Sequence, residues 1–387
     1  MEKVTDKIIN VGVNDREITL FESQYELEKG MAYNSYVIQD EKIAVMDTVD
    51  PRATQEWLSN LEKALAGRVA DYLVIQHMEP DHAGSLLSFT QKFPNAKLVG
   101  NAKTFQIMQQ FFDIELEGRT IVVKEGDTLQ LGVHTLQFIM APMVHWPEVM
   151  VTYEQSEKVL FSADGFGKFG TRDADEDWTC EARRYYMNIC GKYGMQVQNL
   201  LKKLSGVELT AICPLHGPVL MENLNYYIDK YAVWSSYEPE DKGILIAHAS
   251  IHGNTAAAAQ RLKELLEAKG AGKVVITDLC REDLHEAVED AFRYDRLVLA
   301  ASSYDAGVFP PMEDFLNHLK AKNYQKRTVG LVENGSWAPT AAKTMRGLLE
   351  GMKELTIVEP VVTIKSTLKE DSLGELKKLA DVLTANQ

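Results

Sequence analysis

Four potential metal ligands stand within six residues, directly after a predicted strand. The apolar run Tyr72–Ile75 leads into the segment that contains them: His77, Glu79, Asp81 and His82. Imidazole and carboxylate groups are the usual protein ligands of zinc, iron and manganese, and side chains at a strand end can converge on one ion. The cluster therefore predicts a metal site at this strand end, and we expect a helix to begin near Gly84.

Three further candidate ligands follow other apolar runs in the same way. His145 comes after LQFIMAPMV, Asp164 after VLFSA and His216 after LTAICPL. Taken singly, each residue is more often a cap or turn residue than a ligand. Because the dense cluster at 77–82 already predicts a metal, we interpret the whole set as ligands gathered on one edge of a sheet sandwich.

A different pattern follows the buried-looking strand GILIAHAS, which begins at Gly243. A short polar loop comes next and opens an alanine-rich helix. Hydroxyls, a glycine and exposed backbone N–H groups at a helix N-terminus form a phosphate cradle, strengthened by the helix dipole. The candidate phosphate-binding residues are Ser250, His252, Gly253, Asn254 and Thr255. An ordinary capped turn is the alternative.

Two later loops stand at the ends of the third and fourth strands of this region. Their aromatic rings suit packing against a flavin ring, and their small residues let the backbone approach it. The candidates are Ser302, Ser303, Tyr304, Asp305, Ala306, Gly307, Asn334, Gly335, Ser336 and Trp337. Surface turn chemistry is the alternative for each loop. Three loops at successive C-terminal strand ends favour a bound FMN instead.

The elements that must position these residues fall into two regions. From Gly243 onward five strands alternate with amphipathic segments, which predicts a doubly wound parallel sheet. Before about residue 240 short strands mix with turns, including a predicted hairpin of Tyr36–Ile38 and Ile43–Met46. The polar stretch 235–242 is typical of a linker. We therefore predict a metal-binding domain at residues 1–240 and an FMN-binding domain at residues 243–387.

Composition narrows the class of protein. The 387 residues are 45% hydrophobic and 25% charged, as in an ordinary globular protein, and the net charge of -15 argues against a nucleic-acid partner. No apolar run approaches a membrane span or the core of a signal peptide, so we expect a cytoplasmic protein without a membrane partner. The four cysteines are widely spaced, which indicates neither a disulfide framework nor a cysteine-ligated metal.

The motif H-x-E-x-D-H resembles that of the metallo-β-lactamase superfamily, whose usual form is H-x-H-x-D-H. Glu79 stands where a hydrolase of that superfamily normally has histidine. Because carboxylates favour harder ions and stabilise higher oxidation states, this exchange shifts the expected metal from zinc toward iron. A domain of this kind followed by a flavodoxin-like domain is similar to the flavodiiron proteins, also called A-type flavoproteins, over essentially the whole chain. The resemblance implies an N-terminal αββα sandwich and a flavodoxin-like, five-stranded parallel sheet.

The resemblance also implies roles for individual residues. One iron would be held by His77, Glu79 and His145, the other by Asp81 and His216, with Asp164 as a bridge. His82 is left open, because the equivalent histidine of the family sometimes binds iron and sometimes turns away. Tyr193 lies near the place where family members carry a tyrosine hydroxyl beside the irons, and a packed aromatic is the alternative. His252 stands where flavodoxins usually carry Ser or Thr.

The implied activity is reduction of O2 to water, of NO to N2O, or of both, with FMN relaying electrons from an external donor. No cysteine pairs indicate a fused rubredoxin module, so rubredoxin or another separate donor is expected. Metal site and flavin belong to different domains, and the resemblance implies that a head-to-tail homodimer, or a dimer of such dimers, brings them together. Two alternatives stay open: a binuclear zinc hydrolase with a flavodoxin-like appendage, and an FMN electron carrier with structural metals.

Overall fold

The computed structural model describes residues 1–385, which form two compact units. The first comprises residues 1–186 and 195–232, and the second comprises residues 187–194 and those from 233 onward. No helix within residues 1–385 combines the length and the apolar composition that a membrane span requires.

Short strands dominate the first unit. In chain order they are β1 Glu2–Lys3, β2 Ile8–Asn10, β3 Val13–Asp15, β4 Leu20–Phe21, β5 Tyr25–Glu26, β6 Met31–Tyr33, β7 Tyr36–Ile38, β8 Ala44–Met46, β9 Tyr72–Val74, β10 Lys97–Gly100, β11 Thr120–Val122, β12 Thr128–Gln130, β13 Thr135–Met140, β14 Met150–Glu154, β15 Val159–Phe161 and β16 Ala211–Cys213. The predicted hairpin is the antiparallel pair β7–β8, and β9 is the strand predicted before the ligand cluster.

These strands form two main sheets that enclose the core. One has the order β1-β2-β7-β8-β9-β10-β11 and the other β12-β13-β14-β15-β16, while β3–β6 and β4–β5 are separate ribbons. Side chains from both sheets share one buried cluster, in which Met46 and Val74 of the first meet Phe138 and Phe161 of the second. Burial of apolar surface between the two sheets therefore holds the sandwich together.

The helices that begin in the first part of the chain are α1 Thr54–Leu65, α2 Pro80–Ala83, α3 Leu86–Lys92, α4 Ala102–Phe111, α5 Trp178–Ile189, α6 Gly194–Leu204 and α7 Leu224–Ser235, with 3₁₀ turns at Pro51–Ala53 and Gly191–Tyr193. Helices α1 and α4 pack on the first sheet, against β7 and β10. Helix α6 lies against the second sheet, where Nζ of Lys203 donates to the carbonyl of Met140 in β13 at 2.7 Å. Helices therefore cover both sheets, and the predicted αββα sandwich is confirmed.

The second unit contains one main parallel sheet. Its strands are β17 Asp241–Ala249, β18 Lys273–Asp278, β19 Tyr294–Tyr304, β20 Gly307–Val308, β21 Thr328–Asn334, β22 Thr356–Ile357 and β23 Val362–Ile364. Its helices are α8 Asn254–Ala268, α9 Leu284–Arg293, α10 Pro310–Ala321, α11 Ala341–Leu349 and α12 Glu370–Thr384.

The strand order β18-β17-β19-β21-β22, with β23 also on β21, is that of a flavodoxin-like doubly wound sheet. Residues 244–250 of the first strand and its exit are buried throughout, as expected for a central parallel strand. The predicted fifth strand, IVEPVVTI, is divided into β22 and β23, because Pro360 has no N–H to donate to the ladder. The predicted fold class is otherwise confirmed.

Candidate functional site

Four of the predicted ligands form a first group of converging atoms in the first unit. Nε2 of His77 lies 3.2 Å from Oε2 of Glu79 and 3.3 Å from Oδ2 of Asp164. Nε2 of His145 lies 2.9 Å from the same Glu79 oxygen and 3.3 Å from the same Asp164 oxygen. One ligand atom from each of the four residues lies within 4.8 Å of the others, so a single cation can contact all four.

The remaining three form a second group beside the first. Nε2 of His82 lies 3.2 Å from Oδ2 of Asp81, and Nε2 of His216 lies 3.2 Å from the same oxygen. The other oxygen of Asp164, Oδ1, faces this group, at 3.1 Å from His82 and 3.6 Å from His216. Asp164 thus presents one oxygen to each group, the arrangement expected of a carboxylate that bridges two cations.

Strand ends place most of these ligands. His77 and Glu79 follow β9, His145 follows β13, Asp164 follows β15 and His216 follows β16. Asp81 and His82 lie on α2, a short helix that begins at Pro80 and was not predicted. The helix predicted to begin near Gly84 is α3, which begins at Leu86. Proline is favoured in the first helical turn, where its missing N–H costs no hydrogen bond.

The chemistry of these side chains fits two cations. Most of the ligands are buried, yet seven of their atoms have no hydrogen-bond partner within residues 1–385: both oxygens of Asp81 and Asp164, both ring nitrogens of His82, and Nε2 of His216. Buried polar atoms without partners are costly, and cations would satisfy them. Four imidazoles and three carboxylates suit a transition metal such as iron.

Charge compensation within the cluster keeps its groups ionised. Burial acts to lower the pKa of His145, but the hydrogen bond to Glu79 and the nearby carboxylate charges of Asp164 and Glu79 raise it to about 9. Burial acts in the opposite direction on Asp164, whose pKa nevertheless lies well below its usual value because of His77, His82 and His145. A histidine must be deprotonated at the nitrogen that binds a metal, so metal binding to this cluster should release protons.

Two buried carboxylates that support the ligands were not predicted. Oε1 of Glu148 lies 2.9 Å from Nδ1 of His77 and accepts a hydrogen bond from the N–H of Met78 at 2.8 Å. Asp47 accepts hydrogen bonds from the N–H groups of Gln76 and His77, at 2.7 and 3.3 Å. Glu148 follows His145-Trp146-Pro147 directly, and that proximity is the only sequence signal that points to it.

A groove of about 310 Å³ in the first unit reaches two of the ligands, Glu79 and Asp81. Its other walls include Phe21, Glu22 and Tyr33. No sequence pattern predicted these wall residues, because Phe21 and Glu22 are placed by the fold of the β4–β5 ribbon and Tyr33 by β6. The groove offers small molecules a path to the ligand cluster.

The C-terminal strand ends of the second unit surround a cleft of about 760 Å³. Thirteen predicted FMN contacts line it: Ser250, His252, Asn254, Thr255, Ser302, Ser303, Tyr304, Asp305, Ala306, Asn334, Gly335, Ser336 and Trp337. Trp337 is 91% exposed and Tyr304 45%, so two exposed aromatic residues stand at the cleft rim. The size and the lining suit a flavin, with α8 beginning at Asn254 beside the phosphate loop.

A few cleft residues were missed, and a few predicted ones do not line it. Ile251, Ala338, Thr340 and Ser366 were missed, although Ser366 follows the fifth strand and the strand-end argument would have found it. Within the described part of the chain, Gly253 and Gly307 belong to the cleft loops without lining the cleft. Gly253, at φ +86°, instead allows the chain to turn into α8.

Tyr193 ends the 3₁₀ turn Gly191–Tyr193 and lies in the second unit, where its ring is half-buried below the ammonium group of Lys192. The sequence did not predict that residues 187–194 group with this unit. Nδ2 of Asn188 donates to the carbonyl of His285 at 3.1 Å, and Nδ2 of Asn323 donates to that of Lys192 at 2.8 Å. The role of Tyr193 stays a prediction.

Comparison with known proteins matches both units. The family model described as ODP family beta lactamase matches residues 31–217, and a flavodoxin domain model matches residues 245–363. An uncharacterized protein of Methanocaldococcus jannaschii is 27% identical to this chain, and the matched region covers 98% of each of the two proteins. The anaerobic nitric oxide reductase flavorubredoxin of Vibrio vulnificus is 28% identical, over 86% of this chain and 70% of its own.

Solved structures extend the likeness over nearly the whole chain. The rubredoxin oxygen:oxidoreductase of Desulfovibrio gigas matches with a TM-score of 0.92 at 26% identity, over 98% of this chain and 97% of its own. The flavodiiron protein of Giardia intestinalis matches with a TM-score of 0.89, over 99% and 95%, and at 24% identity it shows the shared fold. The two domain models in this order, together with these relatives, confirm the predicted resemblance to the flavodiiron proteins, in which an ODP-type β-lactamase domain is followed by a flavodoxin domain.

Proposed function

We propose that this protein reduces O2 to water, NO to N2O, or both, at a pair of iron ions, with electrons relayed by FMN. The observation that carries the proposal is Asp164, whose two oxygens face two separate groups of ligand atoms. The Desulfovibrio relative is named for oxygen reduction and the Vibrio relative for nitric oxide reduction. Both names support the same class of reaction.

The ligand set favours iron over zinc. Glu79 adds an anionic oxygen to the first group, beside the shared oxygen of Asp164. Hard anionic ligands stabilise the ferric state, which a protein that cycles between ferrous and ferric ions requires. The principal alternative, a binuclear zinc hydrolase, has no use for a flavin cleft.

The two cofactors would divide the chemistry between them: the irons would donate electrons to a bound diatomic molecule, and FMN would replace those electrons. The chain's own residues position the metal ligands and pack around them. The rings of Phe21, Tyr33 and Tyr185 stand 5.4 to 6.0 Å from the ring of His216 and pack around it. The groove at Glu79 and Asp81 admits the small substrate.

The donor and the assembly are part of the proposal. The name of the Desulfovibrio relative supports rubredoxin as an external electron donor, and another donor protein would serve the same chemistry. The ligand cluster and the flavin cleft lie in different units, so electrons must pass between units. We propose a head-to-tail homodimer, or a dimer of such dimers. An active monomer that holds both cofactors would contradict it.

The test begins with metal and flavin analysis of the purified protein, which should find two irons and one FMN per chain. The fully reduced protein is then mixed anaerobically with O2 and, separately, with NO in a stopped-flow instrument. Fast reoxidation by O2 without inactivation indicates an oxygen reductase, and rapid N2O formation with slow or damaging O2 turnover indicates an NO reductase. Zinc without flavin would refute the proposal in favour of the hydrolase. Electron transfer that survives Asp164→Ala would favour the carrier with structural metals.

A further inference from the structure

Glu148 is a fully buried carboxylate that contacts a metal ligand without belonging to either ligand group. Its side chain is 0% exposed, and its Oε1 lies 2.9 Å from Nδ1 of His77. The other nitrogen of that ring, Nε2, faces Glu79 and Asp164. Glu148 therefore sits behind His77, on the side away from the first group.

Two further contacts hold Glu148 in place. Its Oε1 accepts the N–H of Met78, the residue after His77, at 2.8 Å. Its own carbonyl accepts Nδ2 of Asn101 at 2.6 Å. The carboxylate is thus tied to the same loop as the ligand it contacts, and its orientation is set before any metal binds.

The second group has no equivalent carboxylate within the described residues. Nδ1 of His216 lies 2.8 Å from the carbonyl oxygen of Ala32, a neutral acceptor, and Nδ1 of His82 has no hydrogen-bond partner. The ion pairs of these two histidines are with Asp81 and Asp164, which are themselves candidate ligands. The histidines of the two groups therefore differ in the acceptor at Nδ1, which is an anionic carboxylate for His77 and a neutral carbonyl for His216.

We propose that Glu148 is a positioning residue that holds His77 with Nε2 toward the metals and makes the first position the tighter and more electron-rich of the two. An anion that accepts the Nδ1 proton fixes the tautomer and the ring orientation and increases the basicity of Nε2. Because Glu148 is fully buried, water screens this effect little. The first position then stabilises a ferric ion more strongly than the second position does. This inference rests on the proposed diiron function.

Three variants separate charge from orientation. Glu148→Gln keeps the shape and a hydrogen-bond acceptor but removes the charge, and Glu148→Met removes both. The matched control is Glu154→Gln, which alters another fully buried glutamate of the same unit, at the far end of β14. Each protein is loaded with iron anaerobically and titrated with a competing ferrous chelator.

The expected result is selective weakening of one iron. Wild type and Glu154→Gln should each hold two irons. Glu148→Gln should hold one of them about 10- to 100-fold less tightly, with little change in the other, and Glu148→Met should lose that iron more completely. The electron paramagnetic resonance spectrum of half-reduced Glu148→Gln should also change, because the ferric charge is no longer favoured at the first position.

Other outcomes overturn the inference. If Glu148→Gln holds both irons as tightly as wild type, Glu148 has no positioning role. If both irons weaken equally, the proposed difference between the positions is wrong. If Glu148→Met does not fold, judged by circular dichroism, Glu148→Gln alone decides. A wild-type protein that binds no iron pair would instead refute the proposed function.

Discussion

Nε2 of His82 lies 3.1 Å from Oδ1 of Asp164, so the imidazole of His82 is directed into the second ligand group. The family resemblance alone left the role of this histidine open. Its ring is buried and packs against the ring of His216, with 4.6 Å between the ring centroids. The structure therefore favours His82 as a ligand over a histidine that turns away.

We expect His82→Asn to lose about one of the two irons, because the second group keeps only Asp81, His216 and the shared Asp164. Iron and FMN measured per chain check the prediction. FMN content should stay at the wild-type level, since the flavin cleft lies in the other unit. Two tightly held irons in the variant would show that His82 is not required as a ligand.

Asp164→Asn should weaken both irons, unlike His82→Asn. The amide is neutral and offers a single oxygen, so it cannot present one anionic oxygen to each group. Iron content should fall well below one per chain on gel filtration, and reaction of the reduced protein with O2 and NO should fall with it. Loss of only one iron would indicate that Asp164 serves one group and does not bridge.

The aromatic rim of the flavin cleft provides a test of FMN binding. Trp337→Ala and Tyr304→Ala should each raise the Kd for FMN by about 2- to 10-fold, since a ring contact contributes about 0.5–1.5 kcal/mol beyond the buried area. Quenching of FMN fluorescence measures the Kd. Phe111→Ala, which alters a 47% exposed ring in the first unit, is the control and should leave the Kd unchanged.

The pair Asp40–His134 should make stability depend on pH in the acid range. Burial acts to raise the pKa of Asp40, but hydrogen bonds from the backbone and ring of His134 and from the N–H of Glu41 hold it well below its usual value. A carboxyl with a lowered folded pKa stabilises the fold above its unfolded pKa of about 4, and that contribution is lost as the pH falls further.

The variant Asp40→Asn should therefore lower the free energy of unfolding at pH 7 by about 1–3 kcal/mol, with a smaller difference from wild type below pH ~4. Urea unfolding of both proteins at several pH values measures this difference. A difference that does not change between pH 7 and pH 3 would exclude the charge of Asp40 as its source.

Much of the candidate site was predictable because its residues follow a local rule. Each strand end that leads into a polar residue could be recognised one segment at a time, which identified His77, Asp164 and the FMN loops. The doubly wound parallel sheet of the second unit followed from alternating strands and helices, because parallel crossovers allow few topologies. The fifth strand was predicted as one continuous strand, because its apolar residues were given more weight than the missing N–H of Pro360. The structure divides it into two shorter strands.

The sequence by itself determined which residue types are available for metal and flavin binding, and near which strand ends they stand. Only the tertiary structure brings the ligands together in the two groups that the family resemblance implied, since the parallel pairing of β15 with β16 places Asp164 beside His216 from 52 residues along the chain. It also decided that Glu148 stands behind His77 and that a backbone carbonyl stands behind His216. Contacts of this kind depend on which strands become neighbours, and the burial of apolar surface across the whole sandwich selects those neighbours.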